Sequence, residues 1–139
     1  MTGDDRDEVL AAAAHLVDAF RRHDTAAYFA CFVADASFVL HSTPGPLPTR
    51  GAYERLWDSW ERESDFRVHG CASTEQGVRL LGDAAVFTHR RRTDLELDGV
   101  RETRDERETI VFERQPDDRW AAVHEHLSPS PPEGLERPG

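Results

Sequence analysis

The chain contains no lysine and no asparagine, so all 17 of its basic residues are arginine. Without lysine there is no Schiff-base lysine, no phosphate-loop lysine and no Ser-Lys dyad, and without asparagine there is no Cys-His-Asn arrangement. The formal net charge of -10 repels a phosphate backbone, and no basic stripe with interleaved aromatic residues offsets that repulsion. These chemistries are therefore excluded, and we expect no nucleic-acid partner.

Cysteine is scarce, and long apolar runs are absent. Cys31 and Cys71 have no CxxC spacing, so we expect two reduced, packed thiols of a cytoplasmic protein and no zinc or redox motif. No window approaches the roughly 20 apolar residues of a membrane span. The acidic start MTGDDRDE does not resemble a signal peptide. We therefore predict a cytoplasmic location and no membrane partner.

The 139 residues that are present fit one domain. Helical spacing of apolar residues predicts helices over 7–23, 25–32 and 52–63, with a strand over 34–41 and a Pro-rich loop over 42–51. Alternating apolar residues then predict strands over 66–74, 78–81, 84–97, 101–114 and 119–127. Helices followed by antiparallel strands predict an α+β domain over 7–128. We expect a disordered segment before it (1–6) and a flexible Pro-rich tail after it (129–139).

Turn lengths predict which residues share a face of the sheet. A four-residue turn at 115–118 would pair Thr109 with His124 and Arg107 with His126, and a two-residue turn at Asp98-Gly99 adds residues of the preceding strand. One face then carries the polar residues Thr88, Arg90, Arg107, Thr109, His124 and His126, together with Val111, Trp120 and Ala122. The opposite face carries Ile110, Phe112, Ala121, Val123 and Leu127. We expect the polar face to line a pocket.

Two histidines on one strand face can converge on one substrate group or one ion. Neutral-pH proton transfer by His124 and His126, with Arg107 stabilising an enolate or carboxylate, is one interpretation. Metal binding is a second interpretation, and His41 is the third ligand to test first. A structural role within a polar core is the third. The run HRRR over 89–92 is interpreted as salt-bridged surface near Asp105 and Glu106, with His89 outside the pocket.

Several segments resemble one protein family in their order along the chain. They are ADASFVL over 34–40, RGAYERLW over 50–57, GDAAVFTH over 82–89, ERETIVFER over 106–114 and the closing RWAAVHEHLSP over 119–129. Together they are similar to the SnoaL-like branch of the nuclear transport factor two superfamily. The resemblance spans about Asp7 to Pro129.

The resemblance implies a cone-shaped fold in which three N-terminal helices pack on a strongly curved antiparallel sheet and enclose a pocket. It also implies a homodimer formed through the outer sheet face, for which we expect the apolar row Ile110, Phe112, Val123 and Leu127. It does not select a reaction, because the superfamily includes ketosteroid isomerase, scytalone dehydratase, limonene epoxide hydrolase, polyketide cyclases and non-catalytic members. The Tyr and two acids of ketosteroid isomerase are not predicted here, since the nearest tyrosines lie on helices.

We predict a bacterial small-molecule enzyme of isomerase, cyclase or dehydratase type that needs no cofactor. His124 and His126 transfer protons and Arg107 stabilises charge on a mostly apolar, aromatic or polyketide-like substrate of secondary metabolism. The expected substrate-binding residues are Tyr28, Phe32, His41, Trp57, Trp60, Thr88, Arg90, Thr109 and Trp120. One alternative is a metal-dependent enzyme with one divalent ion on His124, His126 and His41. The other is a non-catalytic, dimeric ligand-binding protein.

Overall fold

The computed structural model describes residues 2–131, with side chains from residue 4 onward. The elements follow in the order α1 (Thr2–Arg21), α2 (Thr25–Ala30), β1 (Phe32–Leu40), α3 (Arg50–Ser64), β2 (Arg67–Leu81), β3 (Ala84–Leu97), β4 (Val100–Arg114) and β5 (Trp120–Pro129). The five strands form one curved sheet in the order β1-β5-β4-β3-β2, and only β1 and β5 run parallel. The predicted α+β cone is confirmed.

The ends of the predicted elements differ from the structure by at most two residues, apart from two larger differences. Helix α1 begins at Thr2, so the backbone of residues 2–6, expected to lie outside the domain, is helical. Strand β2 is continuous where Gly77 was predicted to separate two strands, because a register shift between Thr74 and Gly77 accommodates the extra residues. The flexible-tail prediction concerns 129–139, of which 132–139 lie outside the described residues.

The helices bury one face each against the sheet. Helix α1 does so at three- and four-residue spacing, through Val9, Ala13, Leu16 and Phe20. Helix α3 begins after Thr49, whose side chain accepts a hydrogen bond from the Ala52 amide at 3.1 Å, and it buries Tyr53 and Trp57 one turn apart. No helix in residues 2–131 is long and apolar enough to cross a membrane.

The sheet face that the helices cover is the opposite of the predicted one. Phe87, Ile110 and Phe112 are fully buried in the core under the helices. The face of Thr109 and His126 is the outer one. The predicted outer row is therefore wrong for Ile110, Phe112 and Leu127, which are buried in the core; a homodimer stays a prediction, but this row is not its surface.

The pairing register of β3, β4 and β5 explains which side chains were correctly predicted to share a face of the sheet. The Asp98-Gly99 turn has positive φ at both residues (53° and 80°) and pairs Thr88 with Thr109 and Arg90 with Arg107. Thr88 and Arg90 therefore share the face of Thr109, as predicted. The connection to β5 is one residue longer than predicted, and the register shifts again at Val123. Thr109 therefore pairs with His126, Arg107 with Ser128 and Val111 with His124. The two histidines keep the face of Thr109, whereas Trp120 and Ala122 move to the inner face.

Replacing Ile110 by Ala should lower the free energy of unfolding by about 2–5 kcal/mol, because it leaves a cavity under the helices. The matched control is Thr109→Ala on the outer face, which should cost less than about 1 kcal/mol. Urea unfolding followed by circular dichroism measures both. A larger loss for Thr109→Ala would contradict the assignment of the faces.

Candidate functional site

Five titratable side chains lie on the inner face of the sheet, on the side of the helices. This inner polar cluster consists of His89, Arg91, Glu106, Glu108 and Glu125, and each residue is at most 7% exposed. Cross-strand pairing sets His89 opposite Glu108 and Arg91 opposite Glu106, and Glu125 comes from β5. Because buried charges are costly unless they are paired, these groups must compensate one another.

Arg91 is the cation at the centre of the cluster. Its Nη1 lies 3.0 Å from Glu108 Oε2 and 3.7 Å from Glu125 Oε2, and its Nη2 lies 3.3 Å from Glu106 Oε1. The guanidinium also lies 4.4 Å from the centre of the Phe20 ring. Burial alone would lower the pKa of Arg91, but the surrounding carboxyl groups outweigh it and raise that pKa well above its usual value.

Two histidines extend the cluster at its ends. His89 Nε2 lies 2.6 Å from Glu108 Oε1, and its Nδ1 lies 2.6 Å from Ser73 Oγ. His41, at the end of β1, has its Nε2 2.5 Å from Glu106 Oε2. A chain of polar contacts therefore runs through the inside of the cone from Ser73 to His41.

The pKa values of the two most buried carboxyl groups shift in opposite directions. Burial would raise the pKa of Glu108, but Arg91, the neighbouring Glu125 and His89 together lower it to about 2. Burial raises the pKa of Glu125 well above its usual range, and the negative charge of Glu108 adds to that shift. Glu108 is therefore the anion of the pair at neutral pH.

Aromatic side chains enclose the open end of the cluster. An inner cavity of about 50 Å³ is lined by Phe20, Leu40, Ser42, Tyr53, Trp57, Trp60, Phe66, Arg91, Leu95, Arg104, Glu106 and Leu127. A mouth groove of about 250 Å³ adjoins it, lined by Ser42, Trp60, Ser64, Phe66, Leu97 and Arg104. Burial also raises the pKa of Tyr53, so its hydroxyl, 3.2 Å from that of Tyr28, is neutral at physiological pH. A ligand entering here meets aromatic rings together with Ser42 and Arg104, and it reaches Glu106 and Arg91 only in the inner cavity.

The three predicted catalytic residues lie on the outer face, away from this cavity. His124 Nδ1 lies 2.8 Å from Ser37 Oγ, and burial together with the nearby His126 lowers the pKa of His124. His126 and Arg107 are exposed. Their part in catalysis stays a prediction, but the expectation that their face lies under the helices is wrong.

An outer groove of about 290 Å³ lies next to Arg107. It is lined by Glu75, Thr88, His89, Arg90, Arg107, Glu108, Thr109, Ser130 and Pro131. The structure thus brings the predicted residues Thr88, Arg90 and Thr109 together, although outside the cone. Arg90 is already held by Asp105, at 2.8 and 2.7 Å through two of its nitrogens.

The three candidate metal ligands are not brought together. His41 contacts Glu106 on the inner face, whereas His124 and His126 lie on the outer face. Within residues 2–131, no three His, Cys, Asp or Glu side chains form a group that could hold a metal ion.

The predicted aromatic residues divide into cavity and core. Trp57 and Trp60 line the inner cavity. Tyr28 and Phe32 are buried in the core behind it. Trp120 is buried against α1, where its Nε1 donates a hydrogen bond to Glu8 at 3.1 Å.

The inner polar cluster was not predicted from the sequence. Arg91 and Glu106 were expected in surface salt bridges, and His89 outside the pocket, but all three are buried. A usable signal was present, because Glu106 and Glu108 continue the period-two row of Ile110 and Phe112 and so share their face.

The fold is that of nuclear transport factor two-like proteins. A protein of this type from Rhodospirillum rubrum, of unknown function in nutrient uptake, is 21% identical over 88% of this chain and 98% of its own, with a TM-score of 0.76. A ketosteroid isomerase-like protein from Erwinia carotovora atroseptica is 18% identical over 88% and 93%, with a TM-score of 0.72. ActVI-ORFA from Streptomyces coelicolor is 16% identical over 89% and 96%, with a TM-score of 0.71.

The model of the SnoaL-like domain matches residues 9–132. The chain therefore belongs to the SnoaL-like family, as the sequence motifs indicated. No curated protein sequence gives a significant match.

Replacing Arg91 by Met should lower the free energy of unfolding by about 3–5 kcal/mol at neutral pH, because Glu106 and Glu108 lose their buried cation. The exposed neighbour Arg92→Met is the control and should change it by about 0.5 kcal/mol or less. Chemical unfolding at several pH values measures both.

The free energy of unfolding that Arg91→Met loses should also depend on pH. A carboxyl whose pKa is lowered on folding contributes stability above its ordinary pKa and loses that contribution as the pH falls. Since the pKa of Glu108 is about 2, the gap between wild type and Arg91→Met should narrow as the pH falls below about 4. A gap that widens in acid would contradict this role of Arg91.

Proposed function

We propose that the protein is an enzyme that uses His41 and Glu106 for general acid-base catalysis on a small, mostly apolar substrate. The observation that carries this proposal is the 2.5 Å contact between Nε2 of the exposed His41 and Oε2 of Glu106, a residue that lines the aromatic inner cavity. A histidine oriented by a carboxylate can take a proton from a substrate and return it near neutral pH.

The hydrogen-bond contacts of His41 and Glu106 support a different role for each residue in proton transfer. When Nε2 carries the hydrogen that it donates to Glu106, the basic nitrogen of His41 is Nδ1. Glu106 is in turn held by Arg91, whose Nη2 donates a charge-assisted hydrogen bond to Oε1 at 3.3 Å and so orients the carboxylate. His41 is therefore the proton-transfer group, and Glu106 orients it.

The lining of the cavity favours a flat, apolar substrate. Trp57, Trp60 and Phe66 provide ring faces and edges on which an aromatic or unsaturated ring packs well. Together the inner cavity and the mouth groove approach the lower limit of about 300 Å³ typical of ligand sites. The reacting end of the substrate would lie near Glu106, with its other end in the groove.

The reaction class is proton abstraction next to a carbonyl group, followed by return of the proton at another carbon, by attack of the enolate carbon on a second carbonyl whose oxygen takes up the proton, or by elimination of water. This includes the isomerase, cyclase and dehydratase types, and we place the substrate among aromatic or polyketide-like compounds of bacterial secondary metabolism. The relative from Erwinia that is described as ketosteroid isomerase-like supports this direction. No step requires a cofactor.

The test is exchange of the α-protons of β-tetralone, an enolisable bicyclic ketone, in D₂O followed by NMR. Wild type should accelerate the exchange, and His41→Gln and Glu106→Gln should each slow it by about 10²–10⁴-fold, because the proton-transfer group is lost or misoriented. Quenching of tryptophan fluorescence by the ketone should change little in His41→Gln.

His69→Gln is the matched control, because His69 forms a similar contact with Glu96, at 2.8 Å, on the surface. It should leave the exchange rate unchanged. If His41→Gln changes only ketone affinity, the protein is a non-catalytic ligand-binding member of its family. If instead His124→Ala or His126→Ala abolishes exchange while His41→Gln does not, the site lies on the outer face.

A further inference from the structure

One guanidinium faces three buried carboxyl groups inside the cone. Arg91 donates one hydrogen bond to Glu108 and one to Glu106, at 3.0 and 3.3 Å. Glu125 is only 1% exposed, and its nearest approach to Arg91 is 3.7 Å. In residues 2–131, no group donates a hydrogen bond to either oxygen of Glu125.

An ionised Glu125 would be unfavourable at this position. It would be a buried anion without a donor, next to a second anion, Glu108, that already holds the nearer nitrogen of Arg91. The charged and titratable groups that surround it are Tyr28 of α2, Tyr53 of α3, His89 and Arg91 of β3, and Glu106 and Glu108 of β4. The electrostatic free energy of the inner polar cluster is lower if one of its carboxyl groups keeps its proton.

We propose that Glu125 is a neutral carboxylic acid that donates its proton in a hydrogen bond to Glu108, and that it is a positioning residue for Arg91. With Glu125 neutral, the guanidinium is shared by two anions only and keeps its Nη2 on Glu106. This role in holding Glu106 rests on the proposed function. The proton on Glu125 does not, and it can be measured without any substrate.

Infrared difference spectroscopy in D₂O at neutral pH, which compares wild type with each variant, tests the protonation state of Glu125 directly. Wild type should show the carbonyl stretch of a protonated carboxylic acid, and Glu125→Gln should lose that band. The control Glu113→Gln, an exposed glutamate of β4, should keep it. Absence of the band in wild type overturns the proposal, and this holds even if Glu125→Gln fails to fold. A band that persists in Glu125→Gln and is lost in Glu108→Gln also overturns it.

Thermal unfolding against pH provides a second readout that a purely structural role would not move. The unfolded chain releases the Glu125 proton above about pH 4.3, whereas the folded chain retains it, so the contribution of Glu125 to wild-type stability falls as the pH rises. Glu125→Gln has no such proton, so its melting temperature relative to wild type should rise steadily from about pH 5 to about pH 8. A difference that is flat or falls with pH overturns the proposal. A protein that shows the band but no ketone exchange would refute the proposed function alone.

Discussion

The burial of Arg91 among carboxyl groups is the interaction on which the interior of this protein depends. A planar guanidinium can donate in several directions at once, so one side chain of β3 holds Glu106 and Glu108 of β4. Removing a buried partner of this kind leaves uncompensated charge, so the loss of Arg91 destabilises the whole inner polar cluster. Arg91 also orients the carboxylate that His41 contacts, because Arg91 binds Oε1 of Glu106 and His41 contacts Oε2.

The inner face of the sheet changes character along the strands. At one end the cross-strand pairs are apolar, Ala85 with Phe112 and Phe87 with Ile110. At the other end they are His89 with Glu108 and Arg91 with Glu106. The charged end lies beneath the aromatic residues of α3 and opens toward the mouth groove. One face therefore both anchors the helices and carries the candidate site, and the family supplies this cone without determining the chemistry within it.

The sequence predicted the local structure well and the site poorly. Helical spacing identified all three helices, and Asp98-Gly99 identified the turn that pairs Thr88 with Thr109. The grouping of His124 and His126 with Thr109 was right even though the predicted pairs were displaced, because a shift of two residues keeps a side chain on its face. Trp120 and Ala122 changed faces because the longer connection to β5 displaces their pairing by one residue, and the bulge at Val123 adds the second residue only for the histidines beyond it.

By itself, the sequence determined the elements, their order and which side chains alternate together, since turn residues and periodicity act over a few residues. It did not determine which face of the sheet the helices cover, because both faces carry a mixture of apolar and polar residues. Only the tertiary structure decided that His41, from the end of β1, meets Glu106 of β4, 65 positions away. It also decided that Glu106, Glu108 and Glu125 share Arg91. Contacts of this kind depend on how distant segments pack, and the spacing of residues along a single strand does not specify them.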